Sequence, residues 1–169
     1  LLPSTTVSIP SGSSISTLWE YPKCRNGYAR FFRSWADRDI RNLVCSNRLH
    51  PSLVMWSVGN EIPEQSSAEG TKILRHLQDF VRFYDPTRPV TTGMDRGEAA
   101  LKSGFAHVVD VPGMNYRTQL YSKMNDQLGH GFILGSETAS TVSSRGVYKF
   151  PVVRVDGKAY DDGQCSSYD

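Results

Sequence analysis

The sequence predicts an α/β fold built from parallel strand–helix units. Stretches of strand length alternate with segments of helical periodicity, and the clearest strand is apolar on both faces, as a sheet covered by helices requires. No Gly-x-Gly-x-x-Gly turn follows any strand, which weighs against a dinucleotide-binding fold. Periodicity alone leaves an open doubly wound sheet and a closed barrel both open.

The elements follow in order. Tyr28, Phe32, Trp35, Ala36, Ile40, Leu43 and Val44 recur at helical spacing, with Arg30, Arg33, Asp37, Arg38 and Arg41 between them, so an amphipathic helix with a solvated arginine face is expected over 28–44. It must end before His50-Pro51, because the residue preceding a proline is pushed out of the helical region. Leu53 to Val58 is the doubly apolar strand, closed by Gly59-Asn60. Ser66-Ser67-Ala68-Glu69 carries a capping-box pattern and opens a helix through Ile73, Leu74, Leu77, Phe80, Val81 and Tyr84. Asp85-Pro86-Thr87-Arg88-Pro89 ends it. Strands are then expected at 89–92, 107–111 and 132–134, separated by a short helix over 98–105 and a helix marked by Leu120, Tyr121, Met124 and Leu128. Gly129 stands where that last helix needs a left-handed residue.

Composition narrows the function classes. The chain has 169 residues, 38% hydrophobic and 21% charged, which is globular rather than disordered or fibrous. With 19 Lys+Arg against 17 Asp+Glu the net charge is +2, too little to argue for nucleic acid or an anionic membrane as partner. The apolar runs fall short of the ~20 residues that cross a bilayer. Leu1-Leu2-Pro3-Ser4-Thr5 does not read as a secretory leader, and the compartment stays open. Cys24, Cys45 and Cys165 are odd in number and widely spaced, which suggests ordinary thiols rather than a disulfide or zinc framework. Residues 1–18 form a Ser/Thr-rich lead-in expected to be poorly ordered, 19–158 the ordered body, and 159–169 a Gly/Ser/Asp-rich loop.

In parallel β/α folds the active site gathers at the carboxyl ends of the strands. Those positions hold Asn60 and Glu61, Asp95 and Arg96, Asn115 and Tyr116, and Glu137. Two carboxylates at strand ends can act as a proton donor and a nucleophile on a glycosidic bond. Glu61 and Glu137 lie 76 residues apart, three strand–helix units of about 25 residues where eight units in roughly 250 residues allow about 31 each, so the spacing suits two strands nearly opposite across a barrel. A glutamate just past a buried strand is ordinarily a solvated loop residue or an arginine's partner. Asn60 beside Glu61 favours the functional reading, since an amide there can bind a sugar hydroxyl. Asn115, Asp95 and Arg96 are candidate pocket-lining residues. Trp56 reads as core, and His50, His107 and His130, at strand entrances, read as structural.

His50-Pro51-Ser52-Leu53-Val54-Met55-Trp56-Ser57-Val58-Gly59-Asn60-Glu61 resembles the acid/base signature of glycoside hydrolase family 2, which includes β-galactosidases, β-glucuronidases and β-mannosidases. Asp85 to Thr91, Val109 to Tyr116 and Gly135 to Ser140 are similar to further segments of that family in the same order, and Ser143 to Pro151 is similar to the loop after the nucleophile in its β-galactosidase-like branch. The resemblance spans about Trp19 to Asp169. It implies a (β/α)8 TIM barrel and retaining hydrolysis of β-linked sugars by double displacement, β-galactosides first, with β-glucuronides or β-mannosides as alternatives. By the same resemblance Glu61 is the acid/base, Glu137 the nucleophile, Asn60 a ligand of the sugar's 2-hydroxyl, and Tyr116 a neighbour that orients Glu137. The implied partner is a carbohydrate substrate. No cofactor is implied, and no ligand set argues for the metal that some β-galactosidases of the family use.

Only four strands are convincing where closure needs eight, and the lead-in before Trp19 does not resemble the family. The expectation is therefore an incomplete barrel of four to five units with two open sheet edges. A piece of a longer polypeptide or a truncated product is expected before a half-barrel completed by self-association through those edges. A catalytically silent remnant that associates or binds sugar is the rival reading.

Overall fold

The structure, a computed structural model, describes residues 19–21, 27–129 and 131–138. The lead-in over 1–18, the loop over 159–169, the segment Ser143 to Pro151, His130, Cys24 and Cys165 lie outside the described residues.

Four parallel strands form one sheet in the order β1-β2-β3-β4: β1 Trp56–Asn60, β2 Val90–Met94, β3 Val111–Asn115 and β4 Leu134–Glu137. Helices α1 (Ala29–Asn47), α2 (Ala68–Tyr84), α3 (Gly97–Lys102) and α4 (Tyr121–Leu128) precede and connect them, with 3-10 turns at Pro63–Ser66, Phe105–His107 and Thr118–Leu120. Among the described residues β1 and β4 each pair on one side only. This is the arrangement of part of an α/β barrel.

Helix α1 buries a stripe at i, i+4 spacing, Phe32, Ala36, Ile40 and Val44, against α2, whose Leu74, Leu77 and Val81 are buried in turn. Each large apolar side chain so placed contributes about 1.5–3 kcal/mol. Trp19 is fully buried, stacks near Phe32 and Phe105, and donates its indole N–H to the Val58 carbonyl at 3.2 Å. Trp35, expected on the apolar face, is instead 44% exposed with the Arg38 guanidinium 4.6 Å from its ring centre. A stripe of single residues four apart is narrow, and Trp35 falls one position outside it. The arginines of α1 are exposed, as expected.

The cap of α2 is Ser67, whose hydroxyl accepts from the Gly70 N–H at 3.0 Å, one residue later than the Ser66–Glu69 pattern predicts. Glu69 pairs with Lys72 instead. Gly129 closes α4 at φ 65. The short helix expected over 98–105 is divided into α3 and the turn Phe105–His107. His107 lies in that turn, not at a strand entrance. At the far end of α3, Glu98 bridges to α4, and the hydrogen bond and charge of Lys123 hold its carboxyl below the usual range.

Every strand begins later than the apolar runs suggest. Leu53 belongs to a turn, its N–H donating to the His50 carbonyl and its carbonyl accepting from Arg88 Nε at 2.7 Å, so pairing starts only when the Trp56 N–H reaches the Pro89 carbonyl. Val109 is buried outside any strand, and Asp110 bonds both backbone groups of Val90 before β3 starts at Val111. Phe132 is 58% exposed, and β4 starts at Leu134.

The Asp85-Pro86-Thr87-Arg88-Pro89 link pins the amino ends of the strands. Asp85 is 3% exposed and accepts from the Trp56 indole N–H, the Thr87 hydroxyl and N–H, and the Arg88 guanidinium. Burial by itself would raise its carboxyl, but these bonds together outweigh it and lower the pKa from 3.8 to about 2. A carboxyl depressed in the folded state stabilises the protein above its unfolded pKa and loses that contribution as pH falls through the folded one. The expected result is a loss on the order of 2 kcal/mol between about pH 4 and pH 2. Acid-denaturation curves of the protein and of Asp85→Asn check this: the variant should be less stable near neutrality, and the gap should narrow below pH 3.

Candidate active site

The carboxyl tip of each strand lies within one residue of its neighbour's in register. Asn60 pairs in register with Gly93, Gly93 with Gly113, and Asn115 with Glu137. Each tip therefore delivers its polar residues to one end of the sheet. Asn60 and Glu137 are the last residues of β1 and β4, Asn115 is the last of β3, and Glu61 and Tyr116 follow directly.

Both residues that leave the strands do so in the left-handed region, Glu61 at φ 50 and Tyr116 at φ 56, followed by Arg117 at φ 49. For side-chain-bearing residues such a conformation costs roughly 1–2 kcal/mol. It persists here because the backbone is held on both sides: the Glu61 N–H donates to the Gly93 carbonyl at 2.9 Å, and the Tyr116 N–H donates to the Glu137 carbonyl.

Two hydrogen-bonded groups result. In the first, the Tyr116 hydroxyl donates to Glu137 Oε2. In the second, Asn115 Nδ2 donates to Asn60 Oδ1 at 2.9 Å and to Glu61 Oε1 at 3.1 Å, while Asn115 Oδ1 accepts from the Ser136 hydroxyl at 2.6 Å. Glu61, on the tip of β1, is thus linked through Asn115 to the residue immediately before Glu137 on β4. Glu61, Asn60, Tyr116 and Glu137 are partly exposed, whereas Asn115 is 1% exposed. Two partly exposed carboxylates, one beside a phenol and one beside an amide, can act on the two sides of one substrate bond.

The structure brings Glu61, Asn60, Asn115, Tyr116 and Glu137 together at this end of the sheet. Asp95 and Arg96 share that end but engage Gln65: Gln65 Nε2 donates to Asp95 Oδ1 at 2.6 Å, and Gln65 Oε1 accepts from the Arg96 N–H at 3.0 Å. Trp56 is core, 4% exposed. His50 and His107 are exposed. A groove of about 310 Å³ lies between α1 and α2, lined by Arg33, Asp37, Glu69 and His76 among others, and none of the strand-tip residues touches it. Among the described residues no group of His, Cys, Asp and Glu is arranged to hold a metal ion, no helix is long and apolar enough to cross a membrane, and Cys45 is an exposed free thiol.

Three residues of this site escape the sequence reading. Gly93 lies within β2, and a Cβ there would come 2.4 Å from Asn60 Oδ1 and 2.9 Å from Asn115 Oδ1. An isolated glycine inside a strand is a signal of close approach, but the expected strand ends at Thr92 and leaves Gly93 outside it, so the signal is lost. Ser136 and Gln65 carry no such signal; only the pairing of β3 with β4 and the turn after β1 reveal their partners.

Residues 20–148 match the family described as Glycosyl hydrolases family 2, TIM barrel domain. A β-galactosidase of Bacteroides ovatus is 30% identical over 90% of this chain, which spans 22% of that protein's length. The crystal structure of a glycosyl hydrolase family 2 member from Bacteroides cellulosilyticus superposes with a TM-score of 0.62 at 36% identity, over 66% of this chain and 14% of that one. A Bacteroides uniformis β-glucuronidase covalently bound to cyclophellitol-6-carboxylate aziridine shares the fold, with a TM-score of 0.55 at 17% identity over 71% of this chain and 17% of its own.

Proposed function

Since the chain belongs to glycoside hydrolase family 2 and carries part of that family's TIM-barrel domain, we propose that it bears the two catalytic carboxylates of a retaining β-glycosidase acting on β-galactosides. The observation that supports this best is the pairing at the strand tips: Glu137 under the Tyr116 hydroxyl on β4, and Glu61 under the Asn115 amide on β1.

In this reading Glu137 attacks the anomeric carbon while Glu61 gives its proton to the departing oxygen, leaving a glycosyl ester on Glu137. Water then attacks that ester as Glu61 takes its proton, restoring both carboxyl groups and releasing the sugar with its configuration retained. The Tyr116 O–H orients the carboxylate that attacks. Asn60 binds the hydroxyl beside the reacting carbon, where an added hydrogen bond in the transition state accelerates the reaction. The choice of galactose rests on the Bacteroides ovatus relative, which is named a β-galactosidase.

Incubation with a 2-deoxy-2-fluoro-β-galactosyl fluoride tests the assignment, because fluorine at C2 slows both formation and hydrolysis of the glycosyl ester while the anomeric fluoride, a good leaving group, keeps formation the faster step. The expected result is time-dependent inactivation and one added fluorosugar on the peptide that contains Glu137. A label on another residue, or none while the protein turns over an aryl β-galactoside, would sink the assignment. Labelling only by the glucuronic-acid or manno-configured reagent would move the substrate class and leave the mechanism standing.

A further inference from the structure

Asn115 is the most deeply buried of the strand-tip polar residues, at 1% exposure. Its Nδ2 reaches Glu61 and Asn60, and its Oδ1 receives the Ser136 hydroxyl. An amide can turn either its oxygen or its NH2 toward a carboxylate, and only the second is attractive. Asn60 and Glu61, both accepting from Nδ2, select the second, and a donor on the opposite side reinforces it. Ser136, arriving from β4, supplies that donor, and Gly93 beneath lacks the Cβ that would collide with both amide oxygens.

We propose that Ser136 is a positioning residue for proton donation: acting through Asn115, it holds the amide NH2 toward Glu61 and so keeps that carboxyl aimed at the departing oxygen. This rests on Glu61 being the acid/base. Ser136 precedes Glu137 in the chain, yet in this proposal its effect is exerted on the other glutamate, across the β3 tip. Removing the hydroxyl leaves Asn115 Oδ1 without its donor. The amide is then held through Nδ2 alone, and a small tilt of it carries the Glu61 carboxyl off its aim. Misplacement of a reacting group by ~1 Å costs on the order of 100-fold in rate.

Leaving-group dependence separates this role from a merely structural one. An alkyl β-galactoside needs a proton on its departing oxygen, whereas a dinitrophenyl β-galactoside hardly does, and kcat/KM reports only the step that forms the glycosyl ester. Ser136→Ala is expected to lower kcat/KM on the alkyl substrate by roughly 10- to 100-fold and on the dinitrophenyl substrate by less than about 3-fold. Ser136→Thr, which keeps the hydroxyl, should recover most of the loss. Asn115→Ala should reproduce the same selectivity, and the double variant should be no worse than the poorer single one, because both act along one chain of bonds.

Equal losses on the two substrates would place Ser136 with the nucleophile or with general folding, and no loss on either would leave it without a role; both results overturn the proposal. Glu61→Ala is measured alongside. If Glu61→Ala is selective and Ser136→Ala is not, only the positioning role falls. If Glu61→Ala shows no selectivity, the acid/base assignment fails first and takes this proposal with it.

Discussion

Glu137→Ala is expected to lower kcat/KM on an aryl β-galactoside by roughly 10⁵-fold or more, the scale seen when a covalent nucleophile is removed. Among the described residues no strand-tip group is placed to substitute for it: the Tyr116 hydroxyl that donates to Glu137 Oε2 is a proton donor, and Glu61 is held by the Asn115 amide. Glu61→Ala should behave differently. It should cost about 10²–10⁴-fold where the leaving group needs a proton and far less where it does not. Added azide should then restore turnover of the Glu61 variant on an activated substrate with retained configuration. With Glu137→Ala, azide should give a product of inverted configuration, because the anion enters from the side the nucleophile has vacated. Circular dichroism melts of the variants confirm that folding is intact. Substantial activity surviving Glu137→Ala on any β-galactoside counts decisively against the mechanism.

Gly70→Ala should be among the most damaging substitutions to stability, against the usual sign. In an exposed helix the change from glycine to alanine raises stability by about 1 kcal/mol. Gly70 is buried in the first turn of α2, and a Cβ there would fall 2.1 Å from the Glu64 carbonyl oxygen and 2.6 Å from its carbon. Backbone atoms cannot swing aside as a side-chain end can. The turn Pro63–Ser66 and the start of α2 must separate, at an expected cost of about 3 kcal/mol. That turn carries Gln65, which holds both Asp95 and the Arg96 N–H, so the disturbance should reach the strand tips and lower activity as well. Urea titrations with a common slope measure the first effect. An unchanged or higher midpoint would show that the helix and the turn adjust at little cost.

The parallel strand–helix order, the four strand locations and the glutamates worth testing were all legible in the residues. Strand limits were not, and the error has one direction. The apolar runs end at Val58, Thr92, Val111 and Leu134, while the paired strands end at Asn60, Met94, Asn115 and Glu137. Hydrophobicity marks where a strand is covered on both faces. Pairing continues beyond that, into Gly59-Asn60, Gly113-Met114-Asn115 and Gly135-Ser136-Glu137, where small and polar residues serve the site instead of the core. A reading from apolar runs therefore places each strand too early and assigns its functional tip to a loop.

Asn115 shows the same division. The residue type at a strand tip suggested a group facing substrate, yet the structure buries it and directs its amide to Asn60, Glu61 and Ser136. The sequence by itself determined the class of fold, through the alternation of periods, and the chemistry available at the strand ends, through the carboxylates and amides placed there. Only the tertiary structure decided which of those groups meet. Hydrogen bonds between strand tips depend on register and on the space left by residues such as Gly93, and both arise from pairing between segments far apart in the chain.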